Sequence, residues 1–105
     1  MDLLQGTLDL LILKAVAGEP LHGWAIAKRI QLMSRDVLTV NQGSLYPALY
    51  RLEDRGWITG DEERSPEGRR IKVYKLTAAG RRQLDTEMES WKRFSLAVNH
   101  VIRAT

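Results

Sequence analysis

The sequence predicts a mainly α-helical fold that carries one β-hairpin and ends in a long helix. Three successive segments repeat apolar residues at helical spacing, which is typical of helices packed around one core. A turn-forming cluster, Ser65–Gly68, then separates two segments with strand character. Three helices followed by a hairpin is the element order of a winged helix-turn-helix, in which the hairpin is the wing. We therefore expect this fold over residues 1–77 and a dimerisation helix over residues 78–105.

The spacing of apolar residues sets the expected bounds of the first two helices. The first runs from a candidate N-cap at Thr7 to about Ala17, where a Gly-Glu-Pro sequence ends it. The second covers His22–Met33, and His22 at its start has a structural role rather than a ligand role. Residues 38–40 form a brief β-prone stretch before the third helix.

The third helix presents an unusual polar face. Its apolar stripe ends at Gly56, and Pro47 requires a nearby helix start, at about Gly43, because first-turn amides need no partner. Hydroxyl and guanidinium groups beside a helix N-terminus suit phosphates and base edges. The alternative is that the two tyrosines pack against the wing or a neighbouring helix. The side chains expected to point outward are Ser44, Tyr46, Pro47, Tyr50 and Arg51.

The predicted hairpin, with strands Trp57–Arg64 and Arg69–Leu76, carries cations near its turn. These cations suit phosphates or a minor groove. The acidic residues Asp61–Glu63 are expected to face away from a duplex, since a carboxylate directed at DNA is repelled. The alternative is a solvated, mixed-charge hairpin that resists edge pairing. The cations are Arg64, Arg69, Arg70 and Lys72.

The last helix is expected to run from Ala78 to roughly Ile102, on the order of 35–40 Å at 1.5 Å per residue. This length exceeds what so small a domain needs, so the remainder is expected to pack against a second copy. The alternative is that the whole helix folds back as core. Six residues form a heptad-like seam, namely Leu84, Met88, Trp91, Ser95, Val98 and Ile102. The other expected interface residues are Phe94 and Val101 beside the seam and Leu3 and Leu4 near the N-terminus.

Composition excludes several classes of protein. The chain has 105 residues, no cysteine and a net charge of +3, and nine basic against six acidic residues lie between Arg51 and Arg82. The histidines, His22 and His100, lie far apart, so we expect no enzyme, no metal site and no cofactor. The apolar stretch Leu10–Leu13 is too short for a signal peptide or a membrane span. A cytoplasmic protein is therefore expected.

Several motifs together resemble the PadR family of bacterial transcriptional regulators. The resemblance covers nearly the whole chain, and the third and last of these motifs are specific as a pair. The motifs are Leu8–Leu13 (LDLLIL), Pro20–Gly23 (PLHG), Gly43–Leu49 (GSLYPAL), Leu52-Glu53 with Gly56–Ile58 (GWI), Arg69-Arg70, and Tyr74–Gly80 (YKLTAAG). The sequence departs from many relatives at Trp24, where they carry tyrosine, and its acidic Asp61–Glu63 is outside the pattern.

The resemblance implies a homodimeric repressor. Its third helix would read the major groove of a palindromic double-stranded operator while the wing touches the minor groove or backbone. Carried over by motif, the DNA-binding residues are Gln42, Ser44, Tyr46, Pro47, Tyr50 and Arg51 on the helix and Arg69, Arg70 and Lys72 on the wing. Some members with a similarly short C-terminal part bind planar aromatic or drug-like compounds between the paired C-terminal helices, and Met88, Trp91 and Phe94 would form the wall of such a site here.

Two other classes of function remain open from the residues alone. Winged helices also serve as scaffolds for protein–protein interaction, and a net charge of +3 does not compel nucleic-acid binding. A small-molecule sensor without regulatory DNA binding is the third class. The outward tyrosine face and the cationic wing favour the DNA-binding regulator.

Overall fold

The computed structural model describes residues 5–104 and consists of four helices and a three-stranded antiparallel sheet. The strand order is β1-β3-β2. In chain order the elements are α1 (Gln5–Gly18), β1 (Leu21–His22), α2 (Gly23–Met33), α3 (Gln42–Asp54), β2 (Ile58–Arg64), β3 (Arg70–Leu76) and α4 (Ala78–Arg103). The predicted winged helix-turn-helix with a long final helix is confirmed.

One hydrophobic core joins α1, α2, α3, the sheet and the start of α4. Helix α1 packs against α2, α3, β3 and α4, so it lies at the centre of the arrangement. The largest fully buried side chains are Ile12, Leu13, Ile26, Leu45, Leu49, Leu52, Ile58 and Leu84. Because these residues come from α1 to α4, the first turns of α4 share the core of the preceding domain. Leu84, predicted to lie in a dimer interface, is 1% exposed in this core and is withdrawn from that interface.

Polar side chains start three of the helices. The Ala25 amide donates to His22 Nδ1 at 3.4 Å, which makes His22 the N-cap of α2 and confirms its structural role. Asn41 caps α3 in the same way, with a Ser44 N–H to Oδ1 distance of 2.9 Å. Thr77 caps α4, since the Gly80 amide donates to its hydroxyl at 2.9 Å. Unpaired first-turn amides are thereby satisfied at each of these three helix starts.

Four local expectations differ from the structure. Helix α1 begins at Gln5, so Thr7 lies inside the helix and is not an N-cap. Strand β1 was not predicted, because two residues are too few to show an alternating pattern. Residues 38–40, expected to be β-prone, join no strand. Helix α3 begins at Gln42, which places Pro47 in its second turn rather than its first.

Helix α4 extends well beyond the core. Its 26 residues correspond to about 39 Å of helix, and only Gly80 and Leu84 are buried. The molecule accordingly measures 59 × 29 × 21 Å. Beyond Leu84, no residue of α4 is buried within the same chain.

Candidate nucleic-acid interface

Helix α3 places most of its predicted DNA-binding residues on one exposed face. The opposite face is filled by the buried stripe from Leu45 to Leu52, which leaves the polar face free. Tyr50 is 74% exposed and Tyr46 is 47% exposed. The exposed set is Gln42, Ser44, Tyr46, Pro47 and Tyr50. This set, called the α3 face below, brings two phenols, a hydroxyl and an amide together beside a capped helix N-terminus.

The start of α2 supports the α3 face. A Cβ atom at Gly23 would lie 3.1 Å from Tyr46 Cε1, so the absent side chain makes room for the phenol ring. Next to it, a groove of about 310 Å³ separates α2 from the beginning of α3 and is lined by Trp24 and Lys28. Trp24 is 61% exposed and stacks on His22, with ring centroids 6.1 Å apart. The sequence reasoning did not select Trp24 or Lys28 for the interface, although both project from the polar side of a predicted amphipathic helix.

Arg51 departs from the prediction that it points outward with the tyrosines. Its Nη2 donates to Asp9 Oδ1 at 2.7 Å, and the side chains are 28% and 11% exposed respectively. Burial raises the pKa of Asp9 above its usual 3.8, and the Arg51 guanidinium offsets the rise only in part. The guanidinium is thus held against α1 rather than presented with the α3 face.

The wing carries three of its four predicted cations on one face. Arg64 pairs with Arg70 across the ladder and Glu62 pairs with Lys72, so these four side chains share one face of the hairpin. Arg69 follows the turn and is exposed like Arg64 and Arg70. Neighbouring residues of a strand alternate between faces, so Asp61 and Glu63 lie on the other face, as expected. The same expectation is wrong for Glu62, which lies on the cationic face opposite Lys72.

Lys72 is engaged by α3 instead of extending from the wing. Its Nζ lies 2.8 Å from Glu53 Oε1, and this hydrogen bond raises the pKa of Lys72. Glu53 Oε2 also accepts from the Gly60 amide at 3.3 Å. Glu53 therefore ties β2 and β3 to the helix that carries the tyrosines. The sequence contained no short-range signal for this contact, because Glu53 and Lys72 are 19 positions apart.

The second half of α4 presents an apolar strip to solvent. Phe94 is 61% exposed and Val101 is 75% exposed. Trp91 and Phe94 lie with ring centroids 6.0 Å apart and border a groove of about 300 Å³ whose other wall includes Leu10 of α1. Met88 does not line this groove. The strip consists of Met88, Trp91, Phe94, Val98, Val101 and Ile102; Leu3 and Leu4 lie outside the described residues.

Residues 5–104 contain neither a candidate membrane span nor a candidate metal-binding cluster. None of the helices there is long and apolar enough to cross a membrane. Histidine, cysteine, aspartate and glutamate side chains in this range form no group of three or more that could hold a metal ion.

Comparison with known proteins identifies the family. Residues 12–86 match the model of the transcriptional regulator PadR-like family, which is more than half of the chain. The chain belongs to this family. A transcriptional regulator of Mycobacterium tuberculosis is 36% identical over 87 residues, which cover 83% of this chain and 78% of that protein.

Two further matches define the extent of the likeness. The X-ray structure of a PadR-like transcription factor from Bacteroides fragilis is 32% identical, with a TM-score of 0.76 and coverage of 92% of this chain and 91% of that one. An uncharacterised 37.1 kDa protein of a Streptomyces fradiae transposon is 41% identical over 87 residues. The PadR-like chain matches only 24% of the length of that transposon protein.

Proposed function

We propose that this PadR-like chain is a sequence-specific DNA-binding repressor of the cytoplasm that binds a palindromic operator as a homodimer. The observation that carries the proposal is the exposed α3 face beside a wing on which Arg64 and Arg70 share one side and Arg69 is exposed next to them. A major groove about 12 Å wide admits an α-helix, and phenol, hydroxyl and amide groups recognise base edges and phosphates there. The wing arginines then neutralise backbone phosphates.

The homodimer is supported by the apolar strip of α4. A contiguous row of exposed apolar side chains on a soluble protein marks an interaction surface. A second copy offers the same strip, and a two-fold axis between the strips would present two α3 faces to one side of the assembly. Two such helices one helical turn of DNA apart read a palindromic site. The groove beside Trp91 and Phe94 is the proposed place for a planar aromatic effector, since aromatic walls favour flat apolar ligands.

DNA recognition is tested by titrating the protein with DNA from its own upstream region and with a scrambled duplex, across a salt series. The chain is expected to prefer its upstream DNA by about a thousandfold or more, with an affinity that falls steeply with salt. Tyr50→Ala should reduce this preference by about 5- to 150-fold, through the loss of about 1–3 kcal/mol of base contact. Leu96→Ala, an equally simple truncation of a side chain that is 58% exposed on α4, is the control. Equal affinity of the native chain for both duplexes would refute the proposed function.

The dimer is tested by measuring the solution mass. The native chain should have the mass of two chains at micromolar concentration, whereas Trp91→Ala combined with Phe94→Ala should have the mass of one. Leu96→Ala is again the control, because Leu96 is exposed but does not belong to the strip. A native chain with the mass of one chain would contradict the proposed role of α4.

A further inference from the structure

An ion pair between Asp9 and Arg51 lies next to the α3 face, and contact with DNA does not explain it. Asp9 lies on α1 and is 7% exposed, a buried acidic residue in a core that is otherwise apolar. Its carboxylate accepts from Arg51, which is 42 positions away on α3. A charge removed from water needs full compensation, so such a residue requires a physical reason.

Stability does not supply that reason. Arg51 Nε is buried and has no hydrogen-bond partner among the described residues, so the pair is incompletely satisfied. Burial outweighs the guanidinium in its effect on the pKa of Asp9, which shows that the ionised carboxylate is not at a net advantage there. Pairs of this kind are often replaced by apolar residues without loss of stability.

The position of Arg51 on α3 indicates what the pair does. Successive helical residues are rotated by about 100°, so a side chain at position 51 anchored to α1 determines where position 50 points. Tyr46 and Tyr50 are four positions apart, so both lie on the same side of α3 and change direction together when the helix rotates about its axis. The Arg51–Asp9 hydrogen bond, at the edge of the exposed face, therefore acts together with the buried stripe from Leu45 to Leu52 to set the direction of both phenols.

We propose that Asp9 is a positioning residue for DNA recognition, which holds Arg51 on α1, keeps that cation away from DNA and sets the rotation of α3. The inference rests on the proposed function. Besides Arg51, the charged groups near Asp9 are Arg55, the C-cap residue of α3, and Glu87 on α4. Both basic groups belong to the DNA-binding helix or its C-cap, so loss of the Asp9 charge releases positive charge next to the α3 face.

The proposal predicts a change that a purely structural role would not produce. Without the Asp9 carboxylate, Arg51 is free to reach a phosphate, which should steepen the dependence of log K on log salt by about 0.9. Affinity for scrambled DNA should rise about threefold or more, while preference for the upstream DNA falls about tenfold because the phenols lose their direction. A merely destabilised chain would bind both duplexes less well, with an unchanged salt dependence.

The experiment compares Asp9→Leu with the native chain, using the upstream and scrambled duplexes across a salt series. Asp85→Leu is the matched control, since Asp85 is an exposed α4 carboxylate with no ion pair in the described part of the chain. Adding Arg51→Gln to Asp9→Leu should restore the native salt dependence and leave the preference low. If Asp9→Leu does not fold by circular dichroism, Asp9→Asn is used, with the same direction and a smaller change because its amide oxygen still accepts.

The outcomes separate the two proposals. A native chain that prefers its upstream DNA, together with an Asp9 variant whose salt dependence and preference match those of Asp85→Leu, overturns the positioning role alone. A parallel loss of affinity for both duplexes at unchanged salt dependence also overturns it. A native chain without preference overturns the proposed function itself. A steeper salt dependence that Arg51→Gln reverses supports the positioning role.

Discussion

Helices α3 and α4 have the same kind of apolar periodicity but different surroundings. Helix α3 buries its whole apolar stripe against the rest of the chain, with Leu45 and Leu49 both 1% exposed. Helix α4 is twice as long, yet beyond Leu84 its apolar residues reach solvent, and Ile102 is 71% exposed. An apolar stripe therefore indicates that a helix needs a partner surface, whereas helix length relative to the domain indicates whether one chain can provide it.

The largest expected effect is a difference in the free energy of unfolding between truncations of apolar side chains in α3 and in α4. Leu49→Ala leaves a cavity in the core of a single chain and should lower the free energy of unfolding by about 3 kcal/mol at every protein concentration. Ile102→Ala removes similar apolar volume from the end of α4 and should cost less than about 0.5 kcal/mol in dilute solution, where no second copy covers it. Urea unfolding at a low and a high protein concentration measures both.

Concentration is the control in that comparison. At high concentration the cost of Ile102→Ala should increase, because a covered side chain stabilises the associated state by mass action. A large cost of Ile102→Ala in dilute solution would contradict the comparison, since the end of α4 would then pack within its own chain.

The sequence predicted the position of α3 and its buried stripe, but not the side-chain contacts that attach α3 to the rest of the chain. The stripe of α3 and the start of α4 after Thr77 were predicted because both depend on residues three or four positions apart. Arg51 lies at an outward wheel position, and its inward direction depends on Asp9, 42 positions earlier. Periodicity within one helix contains no information about such a partner.

In the wing, too, local sequence patterns predicted the elements but not the contacts between distant residues. The hairpin and its turn were predicted from local composition, and the exposed arginines beside the turn followed. The contact of Lys72 with Glu53 required the packing of β3 against α3, which no local pattern records. Strand β1 was missed because its two residues acquire strand geometry only by pairing with β3.

A second, smaller effect is expected where α4 joins the core. A Cβ atom at Gly80 would overlap the Trp57 carbonyl oxygen and lie 2.8 Å from Leu76 Cδ1. Gly80→Ala should therefore destabilise the chain by about 2 kcal/mol, although alanine is the better helix former. Thermal unfolding measures the change. Gly6→Ala, in the first turn of α1 with open space around the added methyl group, is the control and should be neutral or stabilising.

Gly80→Ala also refines the comparison between the helices. The first turn of α4 is as tightly packed as α3, so the contrast applies only to the part of α4 beyond Leu84. A neutral Gly80→Ala would mean that the whole of α4 is loosely attached to the domain.

The smallest expected effect concerns Asp9, which lies between the two helices. Burial and Glu87 of α4 disfavour the ionised form of Asp9, whereas Arg51 of α3 and Arg55 at its C-cap favour it, and the net result is a pKa above 3.8. Between the pKa of Asp9 in the unfolded chain and its higher pKa in the folded chain, the folded chain therefore binds more protons than the unfolded chain. The stability contributed by Asp9 is therefore fully present below the unfolded pKa and is lost as pH rises through the folded pKa.

Asp9→Asn does not titrate at this position, so its stability relative to the native chain should increase as the pH is raised from about 4 to about 7. Thermal unfolding of both chains across this range measures the difference, and Asp85→Asn, which changes an exposed carboxylate of α4, is the control variant. A relative stability that instead decreases with pH would mean that the arginines of α3 outweigh burial and Glu87. The pair would then be an ordinary stabilising ion pair, and α3 rather than α4 would dominate the environment of Asp9.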